Sequence, residues 1–312
     1  MYFKNRNISV KIYKYAVRAV RAIDGKVKHL EIIYKKQNKT ELENTFNKKE
    51  KKENLKIMLS NFKTNHIFTE EEFEKIEDIR VNYRRIMKRL SKASRGDLFD
   101  RFTANFTYES NALEGNSLTL KDVVIVMFEN ASIKAKDLRE IYETRNSRKV
   151  VEMINKNKFD ISHKSIIKMH KMLVKDIEIQ IGYKKVPNAI LGRELKTALP
   201  ENVKGEMDSL IKWYDKNKEK IHPIELAALF HGKFEQIHPF EDGNGRVGRF
   251  LINVILVGRK YPPLIIRKSQ RIAYLKALEN FDNKHSDTLR RFVLERFKET
   301  YRKFFEIYAK YV

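Results

Sequence analysis

Seven residues with chemical capacity crowd into one twelve-residue stretch, HPFEDGNGRVGR, from His238 to Arg249. Gly243 and Gly245 bracket Asn244, and glycines let a ligand approach the main chain closely. The stretch leads into the apolar run RVGRFLINVILVG, so a helix is expected to begin where the loop ends. Free N–H groups and the positive end of the helix dipole at such a point form an anion site. Arg246 and Arg249, three apart, share a face of that helix and offer the planar donor fork that suits phosphate oxygens. Asp242 supplies a hard oxygen of the kind Mg²⁺ takes beside a nucleotide's phosphates. His238, at the other end of the loop, titrates near neutral pH and can take a proton from an attacking hydroxyl. Together these groups suit phosphoryl or nucleotidyl transfer, where the work is positioning, charge neutralisation and one proton removal. The chain has no GxxxxGK[ST] phosphate loop and no kinase HRD or DFG set, so this is a different arrangement for that chemistry. The bland alternative, a glycine turn with surface arginines, needs far fewer specified positions.

A zinc site from His222, His231 and His238 is the rival reading, since His231 and His238 lie seven apart. Against it stand eight histidines in all, no HExxH and no cysteine. His163 and His170 read as ordinary helix residues.

The elements that must position the loop are mainly helical. Phe73, Ile76, Ile79 and Tyr83 recur at helical spacing, and Thr69 with Glu72 makes a capping box ahead of them. Similar stripes run through Leu138, Ile141, Tyr142 and Arg145, and through Ile166, Ile167, His170, Leu173 and Val174. HPIELAALFHGKFEQI predicts a helix with Pro223 in its first turn, just ahead of the loop. IGYKKVPNAILGRELKTALP breaks the periodicity and reads as a loop with a hairpin. The segment from Ser269 onward is helical again. In front, residues 1 to about 36 read as strands, with VKIYKYAVRAV and VKHLEIIYKK joined at Asp24-Gly25 as a small basic β-hairpin. QNKTELENTFNKKEKKEN reads as linker or exposed helix. The expected division is 1–60 for the hairpin module and linker, 61–150 and 151–265 for helical segments, and 266–312 for C-terminal helices.

At 312 residues the chain can bury a sizeable core. The absence of cysteine excludes a disulfide framework and thiolate metal sites. No secretory h-region opens the sequence, and its longest apolar run, FLINVILVG, is about half of a membrane span, so a cytoplasmic protein without membrane contact is expected. The net charge of +24 leaves nucleic acid open as a partner, though no recognition motif accompanies it.

HPFEDGNGRVGR resembles the HPFxxGNGRxxR signature of the Fic family in full. ESNALEGNSLTL, from Glu109, resembles that family's (S/T)xxxE(G/N) inhibitory motif, with Ser110, Glu114 and Gly115 in place and lying ahead of the signature. IGYKKVPNAILG resembles the family's target-holding flap, with Lys184 where arginine is common. The resemblance covers roughly residues 90–265. It implies a helical Fic-type bundle with a β-hairpin flap, and protein AMPylation, the transfer of AMP from ATP to a Ser, Thr or Tyr hydroxyl of a target protein or of the chain itself. His238 would be the general base and Asp242 the Mg²⁺ ligand. Gly243, Asn244 and Gly245 would form the anion hole, and Arg246 and Arg249 would hold phosphates. Glu114 would pair with Arg249 and compete with ATP. The same residues serve AMP removal in this family, so a deAMPylase or a transferase of another nucleotide or phosphate group stands as an alternative, and a DNA-binding regulator as a third. A homo-oligomer is left open.

Overall fold

The computed structural model describes residues 1–9, 11–22, 26–129, 133, 136–188 and 197–311. It falls into two compact units, Met1–Arg84 and Arg85–Val312.

The first unit opens with a three-stranded antiparallel sheet, β1 (Tyr2–Ile8), β2 (Lys11–Arg21) and β3 (Val27–Ile33), in the order β1-β2-β3. The expected hairpin is β2 and β3. The correction is β1, whose polar YFKNRNI gave no apolar alternation and which pairs with β2 from Tyr2↔Val17 to Ile8↔Lys11. The Asp24-Gly25 turn lies outside the described residues. The stretch read as linker or helix is helix α1 (Lys39–Asn61), started by a complete capping box of Asn38 and Glu41. Its sequence is polar almost throughout, yet Leu42 and Phe46 bury against Ala16 and Leu30 of the sheet. Several of the sheet's cations meet carboxylates within the unit: Lys4 and Arg6 on Glu31, Arg18 on Glu50, Lys28 on Glu53. Helix α2 (Glu70–Arg89) follows, and Thr69 Oγ accepts from the Glu72 N–H as the capping pattern predicts.

In the remaining chain the helices are α3 (Lys92–Leu113), α4 (Leu120–Val124), α5 (Leu138–Asn155), α6 (His163–Leu173), α7 (Pro200–Asn217), α8 (Pro223–Ile237), α9 (Asn244–Gly258), α10 (Arg271–Asp282), α11 (Asp287–Thr300) and the short α12 (Ile307–Tyr311). Two wider π-type turns, at Ile125–Glu129 and Tyr301–Glu306, continue α4 and α11. Helices α8 and α9 form the centre and are buried on nearly all sides, largely apolar but carrying buried His231 and Glu235 on one and Arg246 and Arg249 on the other. Helix α8 starts on His222 and Pro223, with His222 Nδ1 accepting from Ile224 N–H at 3.3 Å. It ends at His238, whose φ of 50° turns the chain out of the helix. A non-glycine residue in this left-handed region is uncommon and held there by its surroundings. Of the flap reading, 189–196 lie outside the described residues. Among the described residues no helix is long and apolar enough to cross a membrane.

Candidate active site

The loop His238–Gly243 joins α8 to α9 and closes on itself through one side chain. Asn244 Oδ1 accepts from the Phe240 N–H at 2.8 Å, and its Nδ2 donates to the Phe240 carbonyl at 2.7 Å. Asn244 is therefore turned inward and buried, and it shapes the loop while its backbone N–H sits in the first turn of α9. Gly243 precedes that turn with φ 79°, a conformation that favours glycine. Phe240 is wholly buried and stacks on His170 of α6, ring centroids 3.9 Å apart and planes 3° apart.

His170, read from sequence as an ordinary helix residue, ties three elements together. Its Nε2 donates to the Asp242 carbonyl at 3.1 Å, and its Nδ1 accepts from the Gly182 N–H at 3.4 Å. Burial pushes this imidazole down to about 4, a cost partly offset by the Asp242 carbonyl, so the ring is neutral near pH 7. Lys184 adds a second tie: its N–H donates to the Pro239 carbonyl at 2.9 Å, while its ammonium donates to Asn188 Oδ1 at 2.6 Å and Thr197 Oγ at 3.0 Å. Burial among these neutral oxygens holds the Lys184 ammonium below the ordinary lysine range. His163 instead bridges Tyr183 and Asp208, at 2.5 and 2.7 Å.

Around the loop lies a cleft of about 530 Å³, lined among others by His238, Asp242, Gly245, Arg249, Glu114 and Arg139. Arg249 is nearly inaccessible to solvent and is held by α3 and the turn after it. Its Nη1 meets Glu114 Oε1 at 2.7 Å, its Nε donates to Ser110 Oγ at 3.0 Å, and its Nη2 donates to the Ser110 carbonyl at 2.8 Å. The Glu114 side chain is 46% exposed, so one face of this carboxylate stays open to the cleft. Gly115 follows with φ 101°, ending α3. Gly245 explains how the acid fits: a Cβ there would collide with Glu114 Oε1 and lie 2.9 Å from Arg249 Nη1.

Arg246 faces elsewhere. It reaches Glu143 of α5 at 3.1 Å and Asp242 at 3.3 Å. Asp242 is also paired with Arg139, and Arg139 Nε meets Glu143 at 3.3 Å. Arg139 and Glu143 carry no motif and escaped the sequence reading; only their i,i+4 spacing with opposite charge was visible. Asp242 remains 40% exposed and lines the cleft. The three histidines of the zinc reading do not converge on one point: His222 Nε2 meets Tyr261 at 3.2 Å and His231 Nε2 meets Tyr274 at 2.7 Å, while His238 lines the cleft, and no cluster of three or more metal-ligating side chains is found among the described residues.

Residues 160–256 match the model of the Fic/DOC family. Over 177 residues the chain is 32% identical to the protein adenylyltransferase Fic of Nematostella vectensis, covering 55% of this chain and 41% of that protein. It is 29% identical over 180 residues to the protein adenylyltransferase fic-1 of Caenorhabditis elegans, covering 35% of that protein. The chain thus spans about two fifths of the length of these curated relatives. Among solved structures it is similar to a Fic-domain-containing signalling protein from Bacteroides thetaiotaomicron, at TM-score 0.68 and 26% identity, covering 75% of this chain and 96% of that one. A C. elegans Fic-1 fragment shares the fold at TM-score 0.66 and 23% identity, covering 76% of this chain and 71% of that one.

Proposed function

The chain carries a Fic/DOC family domain, and from that premise we propose that it transfers AMP from ATP to a hydroxyl side chain of a protein, restrained by Glu114. The observation that carries the reading is the convergence of His238, Asp242, the first turn of α9 and the Arg249–Glu114 pair on one cleft. The free N–H groups of α9's first turn and its dipole receive phosphate charge. His238 takes the proton of the acceptor hydroxyl; the oxygen bonds to the α-phosphorus; the bond to the bridging oxygen breaks, and pyrophosphate leaves with the electron pair. Asp242, an exposed carboxylate beside the anion site, fits Mg²⁺, which when bound neutralises phosphate charge. Arg139 and Arg246 pair with that carboxylate.

Inhibition follows from charge. Three contacts of Arg249 already go to Glu114 and Ser110, and the Glu114 carboxylate beside it repels a terminal phosphate. The test is incorporation of label from α-labelled ATP with Mg²⁺ by the wild-type chain and by Glu114→Gly, with and without cell extract. Greater labelling of protein by the variant is the expected result. Equal labelling of both removes the inhibitory role, and no labelling by either removes the transferase.

A further inference from the structure

Beneath His238 lies a buried carboxylate that the reaction as described does not use. Glu235, one turn earlier on α8, is 4% exposed. Its Oε2 is 3.8 Å from His238 Nδ1, and its Oε1 is 3.9 Å from His231 Nδ1. Both Nδ1 atoms and Oε1 are shielded from solvent. The space for the acid is made by Gly248 of α9, where a Cβ would lie 2.5 Å from Glu235 Oε1 and 2.8 Å from His231 Nδ1. A carboxylate set between two imidazoles, with a glycine cut away opposite, is an expensive arrangement for a helix core.

Burial, with Glu235 adding, pushes the Tyr274 hydroxyl of α10 above the ordinary tyrosine range, so it stays protonated. That hydroxyl lies 2.7 Å from His231 Nε2, and as a protonated phenol it can donate there. An Nε2 that accepts leaves the His231 proton on Nδ1, facing Glu235. His238 presents its Nδ1 to the other oxygen of the same carboxylate, while the residue lines the cleft. The groups facing Glu235 are therefore His231 and His238 from its own helix, Tyr274 from α10 and Arg249 from α9, with Glu114 beyond Arg249.

We propose that Glu235 is the positioning residue for the His238 ring: it keeps the ring proton on Nδ1, leaves Nε2 as the proton acceptor, and stabilises the imidazolium formed when the acceptor hydroxyl is deprotonated. The same role is played by the carboxylate behind the histidine in hydrolytic triads, which orients the ring and fixes its tautomer without itself becoming protonated.

This inference rests on His238 being the proton acceptor, and its test has a readout independent of AMP transfer. The full chain is labelled with ¹⁵N-histidine and the tautomer and titration of His238 are followed by long-range ¹H–¹⁵N correlation, without nucleotide. The wild-type ring is expected as the Nδ1–H tautomer. In Glu235→Gln the midpoint of its titration falls by about one unit or more, as expected on losing a carboxylate within about 4–6 Å, and Glu235→Asp restores most of it. In the Glu114→Gly background, Glu235→Gln lowers kcat about 10-fold to 100-fold, leaves KM for ATP unchanged, and moves the rising limb of the pH profile to lower pH. The wild-type spectrum decides alone if a variant fails to fold: an Nε2–H ring overturns the proposal. An unmoved midpoint in folded Glu235→Gln does the same. If Glu114→Gly transfers no AMP, the transferase reading fails while the spectrum still decides the positioning role.

Discussion

Acidification should loosen the active-site loop through one residue, His170. The ring is completely buried, stacked on Phe240, and hydrogen-bonded through both nitrogens to Asp242 and Gly182. Its folded value is about 4 against an ordinary 6.5, with burial the main cause. The sign follows from proton counts. Between about 6.5 and 4 the unfolded chain binds a proton that the folded chain does not, so stability is fully present above that window and is lost as pH falls through it. At 1.36 kcal/mol per unit the whole window corresponds to about 3 kcal/mol, and the step from pH 7 to pH 5 to about 2 kcal/mol. The perturbation is His170→Gln, which removes the titration. Denaturant unfolding at pH 7 and pH 5, followed by the fluorescence of the single tryptophan, Trp213 of α7, reports on the helical unit. The variant is expected to be less stable than wild type at pH 7, with a gap that narrows by about 2 kcal/mol at pH 5. A gap that stays constant between the two pH values refutes the buried neutral histidine and the tie it makes.

Other substitutions test the remaining contacts. Ser110→Ala removes a hydroxyl from a buried guanidinium and should cost about 1.5–3 kcal/mol in the same unfolding assay, the value of a hydrogen bond to a charged group. Gly248→Ala places a Cβ against Glu235 and His231 and should lower stability by about 1–3 kcal/mol, read as a drop in Tm. Arg139→Ala frees Asp242 of one half-exposed partner, a pair worth about 1 kcal/mol at most, so the Mg²⁺ concentration for half-maximal labelling in the Glu114→Gly background should fall by up to about 5-fold.

The loop was legible because its residues are contiguous. A histidine, an acid, two glycines and two arginines in twelve positions leave little freedom for another meaning, and the apolar run behind them announces α9. What stayed hidden comes from elsewhere in the chain. Glu143 and Arg139 reach the loop from α5, about one hundred residues earlier, and on a helix an acid and an arginine four apart look like any solvated pair. His170 sat on an apolar stripe, where a lone histidine reads as core, and core it is; that its two nitrogens hold the loop and the segment at Gly182 depends on folding. Glu235 in GKFEQI carries no sign that its neighbour is Gly248 of the next helix. Strand β1 has no apolar alternation of its own, and only pairing with β2 separates it as a third strand.

The most direct test of the central claim separates binding from proton removal. Glu114→Gly and the double variant Glu114→Gly/His238→Ala are each given α-labelled ATP with Mg²⁺, and nucleotide affinity is measured by calorimetry beside covalent label on protein. The account predicts similar affinity in both chains and label only where His238 is present. Undiminished label in the double variant, or a cleft that takes no nucleotide once Glu114 is gone, contradicts it.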